Sequence, residues 1–110
     1  MPPMTAVLMY ATAPTKDEAL RIARTIVDER LAACANVIAG VTSMYWWEGS
    51  VQEDVEAVIV MKTRDDLVQA LTSRVRDLHS YQCPCVVAVP IEGGNAEFLA
   101  WIDAETLAKV

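Results

Sequence analysis

The sequence predicts an α+β domain: a ferredoxin-like βαββαβ antiparallel sheet with an extra C-terminal helix and a long hairpin between the second and third strands. Three observations predict it. Ser43 to Thr63 reads as two strands folded at Glu48-Gly49-Ser50, where Gly49 supplies the backbone freedom of a tight turn. Ala6 to Ala11 and Cys83 to Ile91 are apolar runs of strand length. Two amphipathic helical stretches each follow a strand and each open on a capping signal.

Taken in order, residues 1–4 with Pro2 and Pro3 are a short start that is not expected to be ordered throughout. Ala6 to Ala11 is near-continuously apolar, as in a strand buried on both faces. Thr15 with Glu18 three residues later forms a capping-box pattern. Leu20, Ala23, Ile26, Val27 and Leu31 then recur at helical spacing, with Lys16, Arg21, Arg24 and Asp28 on the wet side. Asn36 to Trp47 and Val51 to Lys62 are the hairpin arms. Thr63 with Asp66 caps the second helix, Leu67, Leu71, Val75 and Leu78 form its stripe, and Arg64, Arg74 and Arg76 are solvated. His79-Ser80-Tyr81 ends it. Cys83 to Ile91 is the fourth strand, which Pro84 and Pro90 confine to an edge or to strand ends. Gly93-Gly94 turns the chain, Asn95 caps a last helix, and Phe98, Leu99, Trp101 and Ile102 bury it.

Right-handed crossovers put both main helices on one face of such a sheet. In the second arm of the hairpin Val55, Ala57, Ile59 and Met61 alternate on one parity, while the other is polar at Gln52, Asp54 and Glu56 and then apolar at Val58 and Val60. One face therefore has a cover of helices and the other lacks one, which points to a partner. Arms of about 12 residues span roughly 40 Å, longer than an ordinary strand, so the hairpin is expected to project and to augment a neighbour's sheet.

Residues 1–110 make one domain, and 54% of them are hydrophobic, somewhat more than usual, as in an oligomer that hides additional surface. A net charge of -6 argues against nucleic acid as a partner. No run approaches the roughly 18 apolar residues of a membrane helix, and the start lacks the pattern of a signal peptide. Three cysteines, an odd count, fit a reduced cytoplasmic protein.

Cys83, Cys85 and His79 are the one cluster that resembles a metal site. Thiolates two apart on a strand share a face, and sulfur ligands suit Cu(I) or zinc. The same two residues also read as small buried hydrophobes, and Cys34 as buried packing. His79 is either a helix cap or a ligand. Lys62 either reaches solvent or binds an anion in a subunit cleft. Tyr45, Trp46 and Trp47 are packing or a ligand cage. No nucleophile-and-base pair, glycine-rich phosphate loop or paired-carboxylate site stands out, so an enzyme is not expected.

Glu29 to Ile38 (ERLAACANVI), Ser43 to Gly49 (SMYWWEG), Val58 to Thr63 (VIVMKT), His79 to Pro84 (HSYQCP) and Phe98 to Ile102 (FLAWI) resemble, in collinear order, the CutA proteins of divalent-cation tolerance. The resemblance implies a trimer with hairpins woven around the three-fold axis, as in PII signalling proteins. It implies a role in tolerance of copper and other divalent ions, with copper or another divalent metal as the candidate cofactor. It also implies a cleft between subunits, at Trp47, Lys62, His79 and Tyr81. The family usually reads H-P-Y-x-x-P-E, whereas this chain has Ser80 for the proline and Cys85 for the glutamate. A thiol there shifts preference from hard ions toward soft ones. The expected function is a cytoplasmic homotrimer that binds metal ions or a small ligand. The alternative is a PII-like signalling or scaffold trimer acting through a protein partner.

Overall fold

The computed structural model describes residues 5–107. Its elements are β1 (Ala6–Ala13), α1 (Lys16–Asp28), β2 (Cys34–Trp47), β3 (Ser50–Arg64), a 3-10 turn (Asp65–Leu67), α2 (Val68–Leu78), β4 (Val86–Pro90) and α3 (Ala96–Glu105). The four strands form one antiparallel sheet in the order β2-β3-β1-β4, so β2 and β4 are its edges. The expectation for residues 1–4 lies outside the described residues.

Cross-strand register decides which residues share a face, because directly opposed side chains point the same way. Ala35, Met61, Met9 and Ala88 form one row and Val37, Ile59, Ala11 and Val86 the next. Met61, Met9, Ile59 and Ala11 are buried in one core with Ala19, Ile22, Ala23 and Ile26 of α1 and Leu71 and Val75 of α2, and Ala35, Val37 and Val86 pack half-buried against it. The opposite face carries Lys62, Leu8 and Val89 in one row, Val60, Tyr10 and Val87 in the next, and Ile38, Val58 and Thr12 in a third. No helix of the core covers that face, and Ile38, Val87 and Val89 are each 51% exposed. Strand β1 therefore alternates between buried and half-buried residues instead of being buried on both sides.

The hairpin is longer than expected, with arms of 14 and 15 residues, because β2 starts at Cys34 and β3 runs from Ser50 to Arg64. Its two-residue turn has φ of +50° at Glu48 and +83° at Gly49, the twist that matches flanking strands. Pairing with β1 stops at Ala57, so residues 41–56 project with only each other as strand partners. The projection starts at a bulge, where Ala39 and Gly40 interrupt the register between Ile38↔Val58 and Val41↔Glu56.

Several sequence expectations change. Thr15 Oγ1 does cap α1 by accepting from Glu18 N at 3.1 Å, but the buried stripe runs through Ala19 and Ile22, leaving Leu20 exposed. Thr63 caps nothing. It lies in β3, fully buried, and its hydroxyl donates to the Leu31 carbonyl at 2.7 Å. Arg64 is buried, not solvated. Its guanidinium donates to both carboxylate oxygens of Asp66, at 2.9 and 3.3 Å, and to Thr106 Oγ1 at 3.2 Å, pinning the end of α3. In α3 only Ile102 is fully buried, while Phe98 and Trp101 stack on each other in partial contact with solvent. Strand β4 begins at Val86, so Cys83 and Cys85 precede it in a loop.

Candidate functional site

The end of α2 is anchored by the residue that caps it. The His79 backbone N–H donates to Val75 O at 2.9 Å, and the ring turns back to the end of β1. Its Nε2 lies 2.7 Å from Thr12 O, a carbonyl that can only accept, so Nε2 carries the hydrogen. Its Nδ1 accepts from Tyr81 N at 3.0 Å. Both ring nitrogens are thus used in positioning the loop 79–85, and the imidazole stacks at 4.8 Å on the Tyr81 ring. Of the two sequence readings of His79, the geometry matches the hydrogen-bonded cap.

Ser80 holds the same loop to α1. Its N–H and hydroxyl both donate to Glu18 Oε2, at 3.0 and 2.9 Å. A proline at this position lacks the N–H, so the departure at Ser80 adds a donor pair. Burial pushes the Glu18 carboxyl up, but the two Ser80 bonds, with His79 and Arg21 nearby, outweigh it and hold the group below the usual carboxylate range.

The loop positions Tyr81 over the root of the hairpin. Its hydroxyl donates to Glu56 Oε2 at 3.1 Å, across 25 residues of sequence. Burial and the Glu56 carboxylate push the Tyr81 phenol up to about 12. Glu56 is itself only 8% exposed. Two residues along the same face, Asp54 accepts a hydrogen bond from the Tyr45 hydroxyl, which pushes the Tyr45 phenol up as well. Register puts Val41 opposite Glu56, Ser43 opposite Asp54, Tyr45 opposite Gln52 and Trp47 opposite Ser50, all on one hairpin face. Between that face and the loop lies an open cavity of about 740 Å3, lined by Tyr45, Trp47, Asp54, Glu56, Tyr81, Cys83 and Cys85 among others.

Of the four expected cleft residues, the structure brings Trp47 and Tyr81 to this cavity, with His79 behind Tyr81. Lys62 is elsewhere. It pairs with Leu8 and Cys34 at the far end of the sheet, and its Nζ donates to Asn36 Oδ1 at 3.3 Å. Twelve strand residues separate it from Ser50, the partner of Trp47, or about 40 Å. Within one chain Trp47 and Lys62 cannot meet. Sequence reasoning missed Glu56, Asp54 and the role of Tyr45, although the polar parity opposite an aromatic run was a visible signal.

Cys83 and Cys85 carry free thiols, both exposed, as loop residues at the cavity. Burial of its sulfur and the nearby Glu56 charge push the Cys85 thiol up, which lowers its thiolate fraction. Among the described residues, no three of His, Cys, Asp and Glu converge where they could hold a metal ion. One chain therefore offers two thiols without a preformed chelate.

The family model of the CutA1 divalent ion tolerance protein matches residues 7–105. A chloroplastic CutA 1 protein of Oryza sativa is 45% identical over 101 residues, which are 92% of this chain and 57% of that protein. The divalent-cation tolerance protein CutA of Thermus thermophilus is 44% identical over 99 residues, 90% of this chain and 96% of its own length. The chain thus spans little more than half the length of the plant and animal relatives it matches. The crystal structure of rice CutA1 superposes with a TM-score of 0.92 at 43% identity, covering 96% of each chain. The structure from Archaeoglobus fulgidus is described as that of a periplasmic divalent cation tolerance protein, and it matches with a TM-score of 0.88 at 40% identity over 91% of this chain and 97% of that one.

Proposed function

This chain belongs to the CutA1 divalent ion tolerance protein family, and from that premise we propose that it works as a homotrimer binding metal ions or a small ligand at a cleft shared between subunits. The observation that carries the reading is how much apolar surface a lone chain leaves in water. Beyond the uncovered sheet face, the projecting hairpin holds Met44 68% and Trp46 75% exposed, next to Val51 and Val55. Patches of this kind mark interaction sites. The two edge strands offer unpaired backbone groups to a neighbour's sheet. Association of copies is also the one way to set Lys62 beside Trp47, completing the cleft around the cavity where Trp47 and Tyr81 already meet.

Metal capture in this reading rests on Cys83 and Cys85, because His79 has both ring nitrogens in use. Soft donors favour Cu(I) or zinc over hard ions, and further ligands come from outside the one chain. The reading is of a cytoplasmic binding protein and not of an enzyme. Among the described residues no helix is long and apolar enough to cross a membrane.

Light scattering after size exclusion tests the assembly: a particle three times the 12.1 kDa chain is expected, and a folded monomer at micromolar concentration overturns it. Competition with a Cu(I) chelator tests the metal reading. The reduced protein is expected to retain Cu(I) and the Cys83→Ser, Cys85→Ser double variant to lose it. Equal retention by the two removes the thiols from any metal role.

A further inference from the structure

We propose that Cys83 and Cys85 close into a reversible disulfide by exchange with a low-molecular-weight disulfide such as oxidised glutathione, and that this closure switches off the metal capture read above. The proposal adds a regulation to that reading and rests on it.

Reach is decided within one loop. Cys83-Pro84-Cys85 precedes β4, and both cysteines are free thiols. A disulfide needs Cα atoms about 4.4–6.8 Å apart. Pro84 locks its own φ near the polyproline value, where the chain rises about 3.1 Å per residue, so its two neighbours lie roughly 6 Å apart. Both thiols are exposed and both line the cavity beside Tyr81, so they open to the same side. Cys34, the third cysteine, lies opposite Lys62 at the far end of the sheet and does not compete for either. Because the two sulfurs belong to one chain, association of copies neither supplies nor removes the partner of either. A cleft that admits a ligand also admits the oxidant.

One thiol loses its proton, and its thiolate attacks a sulfur of the oxidant. A mixed disulfide forms as the first glutathione thiolate leaves. The second thiol then loses its proton and attacks the protein sulfur of that bond, joining Cys83 to Cys85 and expelling the second glutathione. The protein gives up two electrons and two protons, and the oxidant becomes two thiols. Closure removes both soft ligands at once, because sulfurs bonded to each other are no longer the thiolates that Cu(I) or zinc requires. Exposed disulfides are the readily reduced, regulatory kind, so a thiol reductant restores capture.

The test treats the metal-free, reduced, assembled protein anaerobically with oxidised glutathione at pH 7.5, followed by thiol counting in denaturant, intact mass and Cu(I) competition. The expected product has one free thiol in place of three, a mass lower by two hydrogens with no glutathione attached, and the one-chain band on a non-reducing gel. It is expected to lose Cu(I) to a chelator against which the reduced protein keeps it, and dithiothreitol is expected to restore retention. Cys85→Ser should hold one glutathione on Cys83, the trapped intermediate, and Cys83→Ser one on Cys85. Cys34→Ser should close and switch as the parent does. An unchanged thiol count, a lasting glutathione adduct on the parent, or a disulfide between copies overturns the proposal. Full closure that leaves Cu(I) retention unchanged overturns it too, and takes both thiols out of metal capture. Cu(I) retention by a protein that never closes sinks the switch alone and leaves the metal reading standing. A reduced protein that never holds Cu(I) sinks both.

Discussion

At Tyr81 one hydrogen bond ties the loop after α2 to the hairpin. Burial and the adjacent Glu56 carboxylate both disfavour the phenolate, and the folded chain holds this proton up to about pH 12. An unfolded chain releases it near pH 10. A group whose pKa is raised by folding contributes stability that is complete below its unfolded value and lost as pH rises through the folded one. Stability should therefore decline between about pH 10 and pH 12, and Tyr81→Phe should flatten that decline. Denaturant midpoints across this range check the prediction, and tyrosinate absorbance of the folded protein should show a phenol titrating near 12 that the variant lacks. Equal slopes for the two proteins would mean that the bond contributes nothing. Glu18 has the opposite sign: its carboxyl is held down, so its contribution is present above the ordinary carboxylate range and fades as pH falls.

Among the elements, the hairpin is the one in which local chemistry and tertiary demand are out of step. Its turn requires positive φ at both central residues, and Glu48 supplies the first of them with a side chain that disfavours this region. Asn tolerates the left-handed conformation far better. Glu48→Asn should stabilise the protein by about 0.5–1 kcal/mol. Chemical denaturation of the two proteins checks it, and a destabilised variant would show that the Glu48 side chain makes a compensating contact. The element also gains from its bulge. Ala39 and Gly40 shift the register by one residue on β2, which brings Tyr45 and Trp47 onto the face of Asp54 and Glu56. Without that extra residue the aromatics and carboxylates would lie on opposite sides.

For the whole molecule, the uncovered sheet face is where assembly can be tested without damaging the subunit. Val58 looks from its sequence like an interface residue, but it is already buried within one chain, so a charge there would unfold the subunit as well. Val87 lies on the same face of an edge strand and is half exposed. Val87→Asp should leave each chain folded and break the oligomer, because a carboxylate in an apolar interface is desolvated without a partner. Light scattering together with circular dichroism checks this: a folded species of one-chain mass is expected, and an unchanged oligomer would show that Val87 faces water in the assembly.

The succession of elements, the hairpin and its turn were legible because they depend on signals carried by neighbouring residues: alternation in Val55 to Met61, a glycine at Gly49, a hydroxyl three residues before an acid at Thr15. The phase of α1 was legible only in part: Ala23, Ile26 and Leu31 of the expected stripe are buried, but the position of the sheet turns Ala19 and Ile22 inward and leaves Leu20 exposed. Arg64 has the composition of a surface residue, yet the return of α3 buries it against Asp66 and Thr106. Cys83 and Cys85 share a strand face only if the strand reaches them, and the chain instead spends those residues carrying Tyr81 to Glu56. The sequence by itself determined which side chains form the sheet and what family they build. The tertiary structure alone decided which charges are buried and what they touch, because burial and long-range contact are properties of chain segments far apart in sequence.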